Sequence, residues 1–166
     1  MAQFRLLLAG ALFLSAGCIP TNKAATPLPT TKPSPALLSP DLKELRRYIT
    51  VPRNPVAVIW EYKQIGDGIM GPSDSQILAV IQYPPADANA IEQTLRKSGT
   101  PSKGEVALQS WFPRDLYKKS VRTSGRGMVL HGTKFDATPF ARQSLQNGFA
   151  LRIPNTPYFV VSLFTT

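Results

Sequence analysis

From residue 41 onward, apolar positions recur at spacings that change from segment to segment, and each change marks an element. Leu42, Leu45, Tyr48 and Ile49 fall on one face at helical spacing, behind Ser39 as N-cap and Pro40 in the first turn. Over 55–65 the period drops to two, with Val56, Val58, Trp60 and Tyr62 on one side, which predicts a strand. Residues 77–83 are apolar almost without a break, the mark of a central strand. Pro84-Pro85 then opens a helix to about Ser98, closed by Gly99, with Ala88, Ile91 and Leu95 as its buried stripe.

The second half reads in shorter pieces. Strands are expected over 106–111 and 128–135, the latter with Gly132 as a bulge. Between them Pro113 begins a helical turn, and Thr138-Pro139 opens a short helix that Gly148 ends. Residues 149–153 and 158–164 form a hairpin around Pro154-Asn155-Thr156-Pro157. The sum is an α+β fold. It is a single domain, mainly an antiparallel sheet of about six short strands with two to four helices. No period of 20 to 50 residues repeats.

Ahead of this domain the pattern is different. One positive charge, Arg5, precedes an apolar run over 6–14 interrupted only by Gly10; small residues and Cys18 follow. That is the layout of a secretory signal peptide, and it is shorter than the roughly 20 apolar residues a membrane span requires. Leu14-Ser15-Ala16-Gly17-Cys18 resembles the lipobox of bacterial lipoproteins. The residue three before the cysteine is usually Leu; here it is Ser15, with Leu14 one position further out, and Ser15-Ala16-Gly17 also suits ordinary signal cleavage. The resemblance implies that 1–17 is removed and that Cys18 is acylated with fatty acids such as palmitate. Cys18 would then fasten the chain to the lipid bilayer. Two or more acyl chains, at about 0.8 kcal/mol per buried methylene, anchor stably where one does not. It further implies export and, in a Gram-negative host, an outer-membrane position facing the periplasm, because Ile19 rather than Asp follows the cysteine.

Residues 18–40 then hold the lipidated cysteine and a Pro/Thr-rich linker: six prolines, four threonines and only Lys23 and Lys32 as charges. Such a segment favours extended backbone and could reach roughly 70 Å. The globular domain is accordingly expected over 41–166.

Composition narrows the chemistry. The single cysteine excludes a disulfide framework, and the single histidine removes triads and His-based metal sites. No metal and no cofactor are expected. Three of the nineteen basic residues and none of the ten acids precede residue 41, so the domain itself carries +6. Acidic partners are therefore favoured over basic ones. Five cations, Arg114, Lys118, Lys119, Arg122 and Arg126, fall within thirteen residues beside Trp111, Phe112 and Tyr117. That mixture suits a polyanion, although nucleic acid is not expected for an exported, tethered protein; a solvated basic face with its aromatics turned inward is the plainer reading. The glycine-rich loop over 66–74 would present Ile69 and Met70 as a contact.

No catalytic residues are assigned. His131 alternates with Val129 and is expected to be half buried. Glu61, Asp67, Asp74, Asp87, Glu92, Glu105, Asp115 and Asp136 are scattered. The expectation is a non-catalytic, membrane-anchored envelope module that binds a protein partner in an envelope complex or an anionic envelope polymer. The alternatives are a glycan or peptidoglycan hydrolase built on two converging carboxylates, with or without His131, and a membrane-held inhibitor or immunity protein.

Overall fold

The computed structural model describes residues 36–65 and 74–165. The signal-like segment, Cys18, most of the linker, and loop residues Ile69 and Met70 lie outside the described residues. A first strand, β1 (Leu37–Ser39), already belongs to the sheet. The folded unit thus begins inside the stretch that reads as linker. Three residues are too few to show a period, and their proline-rich flank dominates the composition.

Helix α1 spans Leu42–Tyr48. Its cap is Asp41 and not Ser39: Asp41 Oδ1 accepts from the backbone N–H groups of Lys43 (2.7 Å) and Glu44 (3.1 Å). Ser39 instead braces the entry, accepting from Asp41 N–H at 3.1 Å and donating to Glu44. The remaining elements are β2 (Ala57–Ile65), β3 (Asp74–Gln82), α2 (Pro85–Ser98), β4 (Ser102–Ala107), α3 (Arg114–Tyr117), β5 (Val121–Thr123), β6 (Gly127–Asp136), β7 (Asn147–Arg152) and β8 (Tyr158–Phe164). They form one antiparallel sheet in the order β1-β2-β3-β8-β7-β6-β4, with β5 pairing β6. The α+β class holds, with eight strands because β1 and β5 are three-residue additions.

Several local expectations change. β4 covers 102–107 rather than 106–111, because Trp111 leaves the sheet to pack on Phe112. The helix expected after Thr138 is a single 3-10 turn, Thr138–Phe140. Gly148 lies inside β7 at φ +142, where a Cβ would collide with the Ser162 carbonyl. Gly132 is not a bulge: it pairs Gly104 in unbroken register. Its missing side chain lets β6 pass the Arg152 carbonyl.

The sheet is buried on both faces. α1 and α2 cover one side through Leu45, Ile49, Ala88, Ile91 and Leu95, against Trp60, Ile81, Phe159 and Val161. On the other side Phe112 and Leu116, from and beside α3, seal Val80, Leu130, Leu151 and Val160. Strand β8, fourth in the order, is therefore apolar at nearly every position. The sheet also curls. β2 and β4 are five strands apart, about 24 Å across a flat sheet, yet Glu61 of β2 and Glu105 of β4 line one cleft. The facing glycines ease this bend; a Cβ on Gly104 would stand 2.6 Å from Lys134 Cβ.

Candidate functional site

Leu116, wholly buried, pins the single turn of α3 onto the second core, and Phe112 anchors the approach to it. The polar residues around these two anchors are consequently turned to solvent. Arg114, Lys118, Lys119 and Arg122 are exposed. None of the four has an ion pair or side-chain hydrogen bond among the described residues. Elsewhere Arg53, Lys63 and Arg96 are each tied to a carboxylate. The fifth predicted cation, Arg126, also leaves the patch: it pairs with Glu105. Tyr117 and Val121 remain exposed among the free cations, at 41% and 53%. The aromatics divide. Phe112 points into the core, Trp111 is half-buried edge-on to it, and the Tyr117 hydroxyl donates to the Gln109 carbonyl at 3.0 Å.

Two adjoining cavities, open to solvent, border this face. One, of about 300 Å³, is lined by Lys118, Lys119, Asp115 and the turn Asn155-Thr156-Pro157. The other, of about 280 Å³, is lined by Ala57, Ile59, Val80, Trp111 and Pro113. Gln82 and Tyr158, opposite one another on β3 and β8, border both. The turn is held firmly. Asn155 takes the left-handed conformation (φ +56) that its residue type tolerates. Thr156 Oγ1 donates to the Ile153 carbonyl at 2.9 Å and accepts from Tyr158 N–H, while Tyr83 N–H donates to Pro157 O at 3.0 Å. Tyr158 is 6% exposed, and burial, reinforced by the Asp115 charge, raises its phenol above the ordinary value.

A third cleft, of about 330 Å³, opens where the sheet curls and is lined by Glu61, Lys63, Gln76, Glu105, Phe149 and Ser162. Lys63 stands 2.7 Å from Glu61, and Arg126 pairs with Glu105. His131 Nδ1 lies 3.8 Å from Glu105 Oε2. The histidine side chain is 56% exposed, close to the half burial expected, and sits opposite Glu105 of the edge strand β4. Among the described residues no group of acids, His or Cys is arranged to hold a metal ion, and no helix is long and apolar enough to cross a membrane.

Sequence reasoning found the cations but missed Gln82, Trp111 and Tyr158 as cavity walls, and the meeting of Glu61 with Glu105. Both depend on strand order and curl, which leave no local signal in the chain. No family model matches this chain, and no curated protein or solved structure shows significant similarity to it.

Proposed function

We propose that this chain is an exported, membrane-tethered binding module of the bacterial envelope, fastened through acylated Cys18, that engages an anionic partner without catalysing a reaction. The carrying observation is the run 114–122, where four exposed cations form no ion pair among the described residues and Asp115 is the only acid. An unpaired cation near an anionic surface contributes about 1 kcal/mol. Reversing Arg114, Lys118 and Lys119 to Glu together should weaken binding to heparin or phosphatidylglycerol vesicles on the order of 100-fold at low ionic strength. Unchanged binding would reduce the run to an ordinary solvated face. The tether is tested separately: fatty-acid labelling should vanish in Cys18→Ala, and retained labelling would refute acylation there.

A second reading is favoured by one observation, the convergence of Glu61 and Glu105 in a single cleft with His131 beside Glu105. A glycan hydrolase requires two facing carboxyl groups, one of them held protonated by apolar surroundings. Here each carboxylate has its own cation instead, which supports the binding reading. Release of soluble fragments from peptidoglycan, abolished by Glu61→Gln or Glu105→Gln, would reverse that preference.

A further inference from the structure

We infer that the two adjoining cavities beneath α3 form one site for an anionic amphiphile, an apolar chain bearing a single carboxylate. This deepens the anion-binding reading of the 114–122 face and rests on it for the head group, because Lys118 and Lys119 belong to both. The first cavity brings together two ammonium groups and one carboxylate, Asp115. Its balance of one positive charge matches a monoanion and leaves a dianion undercompensated. The second cavity offers an apolar wall of Ala57, Ile59, Val80, Trp111 and Pro113, which suits a chain that would otherwise order water.

Tyr158 joins the two halves. The residue is 6% exposed overall, it lines both cavities, and its hydroxyl, which keeps access to solvent, has no protein hydrogen-bond partner among the described residues. A phenol at the junction of the two cavities can exchange a water for a ligand acceptor. A carboxylate held by Lys118 and Lys119 would supply one. Each cavity is near the lower end of the usual size range for ligand pockets, about 300–1,000 Å³. A single chain therefore fits better than a diacyl lipid.

The other clusters carry less. The Glu61–Glu105 cleft is charge-balanced, and the Arg152–Glu92 pair ties α2 to the sheet and lines none of the three cavities described above.

The test uses the full chain purified unacylated as Cys18→Ser, with decanoate as the probe below its micellar concentration. Trp111 fluorescence reports the apolar half, since the other tryptophan, Trp60, is wholly buried on the opposite face. Decanoate should shift that emission saturably, and decanol or decylammonium should bind at least tenfold more weakly. Lys118→Ala combined with Lys119→Ala should weaken decanoate at least tenfold. So should Ala57→Glu, an exposed position at the mouth of the apolar half, where a lost fold would show in far-ultraviolet circular dichroism. Tyr158→Phe should weaken it severalfold without changing the response to decanol. No saturable shift, equal affinity for the three probes, or indifference to Ala57→Glu would overturn the inference. A normal heparin response with no decanoate binding would defeat the amphiphile site alone. Decanoate binding without a heparin response would defeat the wider anionic-partner reading and leave the amphiphile site standing. Binding only of decanoate embedded in vesicles would move the contact to a lipid surface and overturn the site as a pocket for a free amphiphile.

Discussion

Tyr83 offers a substitution that should make the protein more stable. It follows β3, immediately before the prolines that open α2, and is 1% exposed. Its ring meets Phe159 edge-on, with centroids 6.0 Å apart. Its hydroxyl is buried and has no hydrogen-bond partner. Desolvating such a group without replacing its hydrogen bonds to water costs about 1–3 kcal/mol. Tyr83→Phe keeps the ring and its packing and removes only the oxygen. The small void left behind offsets a few tenths of a kcal/mol, so the variant should gain about 1–2 kcal/mol. For a domain of this size that raises Tm by about 3–7 °C.

The pH dependence gives a second readout. Burial is the largest influence on this phenol; the Arg46 charge opposes it, the Asp87 charge adds to it, and the net direction is upward. The folded protein therefore keeps the proton at pH values where the unfolded chain, titrating near about 10, gives it up. This contribution to stability is intact below pH 10 and declines as pH rises above it. The variant lacks that decline, so its advantage should widen in alkali, while Tyr158, raised in the same direction, leaves a residual loss in both proteins. Urea unfolding followed by tryptophan fluorescence, with unchanged m, would measure both effects. Destabilisation of 1 kcal/mol or more would show that the oxygen has a partner, such as an internal water, and would refute the reasoning.

Three further substitutions probe the parts that position the site. Gly132→Ala would place a methyl group against the Arg152 carbonyl; a loss of about 1–3 kcal/mol in urea unfolding is expected, and a neutral result would contradict the close strand approach. Arg152→Met removes a largely buried guanidinium that donates to the Thr156 and Tyr158 carbonyls, lies 3.6 Å from Glu92 and sits over Phe159. It should cost about 2–4 kcal/mol and speed hydrogen exchange at the Ile153, Tyr158 and Tyr83 amides that close the 154–157 turn, whereas unchanged protection there would show the turn to be held by other contacts. Leu116→Ala, at the wholly buried position of α3, should cost about 2–5 kcal/mol and reduce heparin binding, since it releases the anchor of the cationic run; a stability loss with full binding would separate the two.

What the sequence revealed about this fold follows burial. Strand β8 is buried on both faces and reads as a continuous apolar run; α2 has one buried stripe and reads at helical spacing. Edge elements were harder. Along β4, Lys103 and Glu105 alternate with Gly104 and carry no apolar signal, so the strand was expected four residues late. Gly132 and Gly148 suggested a bulge and a helix end because a lone glycine does not reveal which backbone passes close by. The cations of the candidate face were legible as a charge run. That Arg126 leaves it for Glu105 was not, since twenty-one residues separate the pair and β6 brings them together.

The proposed tether would also make sense of a binding face as modest as the one proposed. Four cations at about 1 kcal/mol each amount to about 4 kcal/mol, a dissociation constant near 1 mM for one surface contact. A freely diffusing domain would rarely be bound at such a value. The stretch between Cys18 and β1 has about eighteen residues, so an extended proline-rich linker reaches about 55 Å. A connection of that kind holds a domain at an effective concentration in the millimolar range, comparable to the constant itself. If Cys18 is acylated as proposed, the chain should be engaged with anionic surface near its anchor roughly half the time, and released readily as ionic strength rises. Crosslinking on vesicles that carry the acylated chain should show this intermediate occupancy, falling sharply on charge reversal of Arg114, Lys118 and Lys119. Full occupancy that persists at high salt would mean that contacts other than these cations hold the domain down.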